Sequence, residues 1–155
     1  MTLKELRKEK ELSQLEASKI ANVSLRTYIY YEKDVNKVNT NTYKFIFDSL
    51  DKYNQIDEDH GIIPFNKIVE KLMPILTKHN INLCYIFGSY AKGTATESSD
   101  IDILIDTDII GLEFFNLIEE LRLTLKKKID LLRLKDITPD NPISLNILKY
   151  GKRII

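Results

Sequence analysis

From residue 3 to about residue 53 the apolar positions recur at helical spacing, and neither glycine nor proline interrupts them. Leu3, Leu6 and Lys10 mark one short helix. Ser13 stands where it caps a second helix running to about Ile20, and Ser24 where it caps a third running to about Glu32, because a serine oxygen accepts from the first free backbone N–H groups. A fourth helix is expected over 40–53. Beyond residue 60 the pattern mixes two periods: helix over 64–79, a continuous apolar strand over 82–87, a strand over 101–105, an amphipathic helix over 112–127 and a strand over 129–132. A last helix over 142–150 and a short strand over 153–155 close the chain.

Composition sharpens this into two domains. All five glycines and all four prolines lie from Gly61 onward, and the polar, acidic stretch 54–61 ends on that glycine. Residues 56–63 therefore read as a linker between an all-helical domain, 1–55, and a domain of helices and strands, 64–155, an α+β chain overall. The charges balance, 23 Lys and Arg against 23 Asp and Glu, which argues against bulk nonspecific nucleic-acid binding. Residues 1–40 nevertheless hold eight basic and six acidic side chains, a small surplus that favours a DNA contact. No apolar signal region or membrane-length span is present, and the single cysteine, Cys84, sits in an apolar run as a small hydrophobe; a cytoplasmic location is expected.

In the first domain the segment 12–24 holds two capped helices joined by a tight turn. Ala17 is small enough for a close crossing, Asn22 tolerates the positive φ of such a turn, Val23 wedges between the helices, and Tyr28 and Tyr31 are expected to face inward. From Leu3-Lys4-Glu5-Leu6-Arg7 through Val23-Ser24-Leu25-Arg26-Thr27 to Tyr31-Glu32-Lys33 the run resembles the Xre/Cro-type helix-turn-helix family. The resemblance implies a pair between Arg7 and Glu32, with Asn22 standing where the family usually has glycine. If the third helix enters a major groove, Leu25, Arg26, Ile29 and Tyr30 are its candidates for base edges, and Gln14 and Ser24 for phosphates. Two half-sites would require a dimer.

The second domain carries the stronger signal. After the apolar strand come Gly88-Ser89-Tyr90-Ala91-Lys92-Gly93, then Asp100-Ile101-Asp102. A glycine at a strand end lets backbone approach a phosphate, Ser89 adds a hydroxyl, a short following helix offers free N–H groups, and Lys92 adds charge. On a strand, Asp100 and Asp102 point to one face and repel unless a cation lies between them; Mg²⁺ is the natural one. Alone, such a pair is better explained by a solvated turn. Asp130, within the apolar Ile129-Asp130-Leu131-Leu132, changes the balance, since a carboxylate there is costly unless paired or metal-bound.

Gly-Ser, ten residues, Asp-x-Asp and a third Asp on a later strand resemble the polymerase-beta-type nucleotidyltransferase superfamily, and the size of the domain resembles its minimal members. The resemblance implies a mixed sheet flanked by helices, with Asp100, Asp102 and Asp130 as catalytic residues and ligands of a two-metal Mg²⁺ site. Gly88, Ser89 and Lys92 would bind the nucleotide, although Lys92 replaces the family's usual arginine and lacks its bidentate fork. Minimal members act as antitoxins beside a HEPN-type RNase toxin, transferring AMP from ATP to a toxin tyrosine, and the fused helix-turn-helix domain implies repression of the operon through operator DNA. A homodimer or a hetero-oligomer with the toxin fits this reading. Two other functions stay open: a small-molecule nucleotidyltransferase, and a regulator whose nucleotide site only senses ligand or binds toxin sterically.

Three further features read as structural. Lys126-Lys127-Lys128 is expected to be a solvated helix end, the stripe Leu112, Phe115, Ile118, Leu121 and Leu125 to be core, and His60 and His79 to have no function. Asp106 and Asp108 are loop residues or partners that orient lysines or metal.

Overall fold

The computed structural model describes the backbone of residues 1–155 and every side chain but that of Val35. It divides into two compact units, Met1–Gln55 and Ile56–Ile155.

The first unit packs four helices, α1 (Leu3–Glu9), α2 (Gln14–Ile20), α3 (Leu25–Lys33) and α4 (Asn41–Lys52). Thr2 with Glu5 and Ser13 with Glu16 form reciprocal capping boxes on α1 and α2, and Ser24 caps α3 through the Thr27 N–H. Asn22 adopts φ 51°, the left-handed turn expected of it, and the buried Ala17 lets α2 and α3 approach closely. Leu3, Leu6, Tyr28, Tyr43, Ile46 and Leu50 fill the core, with Val23 and Tyr31 against it. Lys10, just beyond α1, donates its ammonium to the carbonyls of Asp51 (2.8 Å) and Tyr53 (2.7 Å), capping the negative end of α4.

The second unit is a four-stranded mixed sheet in the order β3-β2-β1-β4, with helices packed against it. Its elements are α5 (Phe65–Lys78), β1 (Cys84–Phe87), α6 (Gly88–Lys92), β2 (Ile101–Ile105), α7 (Gly111–Leu125), β3 (Ile129–Arg133), α8 (Pro142–Tyr150) and β4 (Lys152–Arg153). β1 runs antiparallel to β2 and β4, while β2 and β3 are parallel and are joined through α7. Parallel neighbours need such a crossover, which a hairpin cannot supply. One face of β2 presents Ile101, Ile103 and Ile105, all buried, to the core of Ile68, Leu72 and Leu76 from α5 and Leu117, Leu121 and Leu125 from α7. Each such side chain contributes about 1.5–3 kcal/mol of burial. The other face carries Asp102 and Leu104.

Three expectations change. Residues 56–63, read as a linker, belong to the second unit: Glu58 pairs with Arg122 at 2.6 Å, Gly61 N–H donates to Glu97, and Ile56 and Ile63 pack on the core. The stripe on α7 is rotated, because Leu117, Leu121 and Leu125 form the inward row; Leu112 and Phe115 are exposed. Lys127 is fully buried rather than solvated, because Lys126 ends α7 at φ 56° and turns the next side chain inward.

Candidate active site

Gly88 is where β1 becomes α6. Its φ of 69° is a left-handed conformation that an L side chain adopts only with strain, and a Cβ there would lie 2.0 Å from Oδ2 of Asp102. The space that a side chain would occupy is filled by the carboxyl group of Asp102. Gly93, at φ 75°, ends the short helix and returns the chain toward β2. Gly88 and Ser89 thus open α6 directly against Asp102.

The sheet register aligns the rest. Phe87 on β1 is opposite Asp102 on β2, and Asp102 is the parallel neighbour of Asp130 on β3. Asp100 immediately precedes β2 and is positioned by the bond from Ile101 N–H to the Lys128 carbonyl (2.9 Å) and by the turn in which Thr96 N–H meets the Ser99 hydroxyl (2.8 Å). Burial raises the pKa of Asp102 to about 6, and the neighbouring charges of Asp130 and Asp100 act in the same direction. Asp100 and Asp130 are exposed.

Of the three carboxylates expected as a metal set, Asp102 and Asp130 are therefore neighbours in register and Asp100 lies just before β2, but they are not a closed cage: among the described residues no group of three or more His, Cys, Asp or Glu is gathered closely enough to hold a metal. Their chemistry still fits a hard divalent ion. All are oxygen donors, two on the adjacent strands β2 and β3 and one just before β2, and the central one resists ionisation because it is buried, with the charges of Asp130 and Asp100 acting in the same direction.

Lys92 is exposed, its ammonium 4.7 Å from the centroid of the Tyr150 ring on α8. Asn146, also on α8, accepts a long bond from Gly88 N–H (3.4 Å). Sequence reasoning missed Asn146 and Tyr150; both reach the site only because α8 packs on α6, and nothing in their local pattern marks them.

In the first unit Arg7 donates from Nε (3.1 Å) and from a terminal nitrogen (2.8 Å) to Oε1 of Glu32, the pair expected there. The Glu32 bond holds the guanidinium pKa above its ordinary value. Gln14 donates to the other Glu32 oxygen at 2.9 Å, and the Ser24 hydroxyl is engaged as a helix cap, so both groups proposed for phosphates already hold internal partners. Leu25, Arg26 and Tyr30 are exposed on α3, whereas Ile29 is half-buried. No helix among the described residues is long and apolar enough to cross a membrane.

Residues 70–155 match the family model "Polymerase beta, Nucleotidyltransferase", and residues 3–52 match a "Helix-turn-helix" model. A Methanocaldococcus jannaschii protein named as a protein adenylyltransferase, MJ0435, is 38% identical over 81 residues, 48% of this chain and 82% of that one. Protein adenylyltransferase MntA of Thermococcus cleftensis is 38% identical over 73 residues, 41% of this chain and 74% of that one. A solved structure described as a toxin-antitoxin with AMP-PNP superposes with a TM-score of 0.50 at 25% identity, over 56% of this chain and 72% of that chain. With the Gly-Ser turn and the aspartates all inside the matched region, the chain belongs to the polymerase beta nucleotidyltransferase family.

Proposed function

We propose that this protein is an antitoxin that transfers AMP from ATP to a tyrosine of a partner HEPN-type RNase toxin and represses its own operon through the first unit. The observation that carries the enzymatic part is the carboxyl group of Asp102 lodged in the space left by Gly88, which supports reading Asp102 as a metal ligand beside a turn that takes the phosphates. The protein acceptor is supported by relatives named as protein adenylyltransferases and by the likeness to a toxin-antitoxin structure. Operator binding is supported by the helix-turn-helix match and by Leu25, Arg26 and Tyr30 exposed on α3.

Asp102, with Asp100 and Asp130, would hold Mg²⁺, which when bound supplies positive charge against the phosphates and the departing pyrophosphate. Gly88 and Ser89 hold the triphosphate through backbone N–H and hydroxyl, and Lys92 adds charge beside them. Asp130, exposed on β3, takes the proton of the tyrosine hydroxyl as that oxygen bonds to the α-phosphorus. The α–β phosphoanhydride bond breaks and pyrophosphate leaves in line.

The test is intact-mass spectrometry of the product of the adjacent gene after incubation with this protein, ATP and Mg²⁺, beside an Asp100→Asn control. Added AMP mass that disappears in the control is the expected result. A stable complex without added mass would replace this reading with steric or sensory regulation, and labelled AMP on a small molecule without any protein partner would replace it with a small-molecule transferase.

A further inference from the structure

Lys127 and Ser18 are the buried polar residues among those described, and Lys127 alone of the two carries a charge. The Lys127 ammonium donates to the carbonyl of His60 at 3.1 Å and to the carbonyl of Glu97. No carboxylate among the described residues forms an ion pair with it. Burial lowers its pKa, while Asp57, Glu97 and Asp59 favour the charged form. A lysine held dry against two backbone carbonyls is a costly arrangement for filling space, since a leucine or methionine would do so without desolvating a cation.

Its position relative to the aspartates gives it a use. Glu97 precedes Asp100 by three residues, and Ile101, just after Asp100, donates its N–H to the carbonyl of Lys128 at 2.9 Å. The segment 127–128 therefore grips the loop on both sides of Asp100, and the same segment continues two residues later into Asp130 on β3. The other acceptor, His60, lies in the strap 56–61, which Glu58–Arg122 and Gly61–Glu97 tie to the same unit. We infer that Lys127 is a positioning residue that holds the Asp100 loop against the strand pair carrying Asp102 and Asp130, so that the three carboxylates can converge on one cation. The inference rests on the reading of these aspartates as metal ligands and adds a residue that touches neither metal nor substrate.

The experiment compares the full-length wild-type chain with Lys127→Met and Lys127→Arg by amide hydrogen exchange over 96–101 and by Mn²⁺ binding measured calorimetrically. Loss of the charge-assisted bond in Lys127→Met is expected to speed exchange over this loop and weaken Mn²⁺ binding by about tenfold each, with exchange of β1 and of α2 unchanged. Lys127→Arg, which keeps the donors, is expected to recover part of both. Unchanged loop exchange and unchanged Mn²⁺ affinity in Lys127→Met overturn the inference. A wild-type chain that fails to bind Mn²⁺ overturns the metal reading instead, while loop exchange still decides whether Lys127 holds the loop. Should Lys127→Met fail to fold, the wild type decides by NMR: a slowly exchanging ammonium coupled through hydrogen bonds to the Glu97 and His60 carbonyls is expected, and a solvent-averaged ammonium refutes it.

Discussion

Gly88→Ala tests the central contact of the site. The added Cβ would lie 2.0 Å from Oδ2 and 2.9 Å from Cγ of Asp102, so the carboxyl group must move out of its place between β1 and β3. Holding alanine in the left-handed region costs about 1–2 kcal/mol. Displacing a packed side chain adds about 1–3 kcal/mol, for a total of about 2–5 kcal/mol. The chain has one cysteine, and Cys84 is fully buried in β1, where burial pushes its thiol pKa up to about 12. Pulsed maleimide labelling of Cys84 across a urea titration therefore follows unfolding of the second unit alone, free of signal from the helical unit. In an Asp102→Ala background the clash disappears and only the backbone strain remains, so the cost of Gly88→Ala should fall to about 1–2 kcal/mol. An equal shift in both backgrounds, or none in either, would refute the claim that Gly88 is required by its contact with Asp102.

Folding raises the pKa of Asp102 from 3.8 to about 6, so between those values the native state binds a proton that the unfolded chain does not, and stability falls as pH rises through that window. Asp102→Asn should accordingly stabilise the metal-free second unit by about 1–3 kcal/mol at pH 7.5, allowing for the solvent-facing part of the carboxyl group, while abolishing AMP transfer. Cys84 labelling in urea and EDTA checks it, and a gain that is as large at pH 4 would be inconsistent with an ionisation penalty. Arg7→Ala leaves the nearly buried Glu32 with only Gln14 as partner, and should lower the stability of the first unit by about 2–4 kcal/mol, read from the far-UV circular dichroism of thermal unfolding. Arg26→Ala removes an exposed guanidinium from α3 and should weaken binding to the upstream promoter by about 1–3 kcal/mol in fluorescence anisotropy, without altering the melting of the unit; unchanged affinity would remove Arg26 from the DNA contact.

The helical unit was legible because its signals are local. Ser13 and Ser24 stand at their caps, Asn22 takes the turn, and the apolar spacing marks the inward faces, each readable within a few residues. Residue type and spacing in the Gly-Ser turn and the three aspartates led to the expectation of a phosphate and metal site, and the structure sets Asp102 against Gly88 and beside Asp130. Lys127 was misread for the same local reason: a run of three lysines at a helix end has the appearance of a solvated terminus, and only the left-handed turn at Lys126 sends the middle one inward. Leu112 and Phe115 were misread because a helical stripe has two defensible rotations, and packing on the sheet selects the row through Leu117, Leu121 and Leu125.

By itself, then, the sequence determined which segments are helix and strand, where the composition changes, and which residue types are available for phosphate and metal chemistry, since these follow from side-chain period and local backbone preference. Tertiary structure decided the parallel register that sets Asp102 beside Asp130, the lodging of Asp102 against Gly88, the approach of Asn146 and Tyr150 from α8, and the burial of Lys127 beneath the strap 56–61. These are contacts between segments far apart in the chain, and their geometry is set by the packing of the sheet and its helices, which no local pattern encodes.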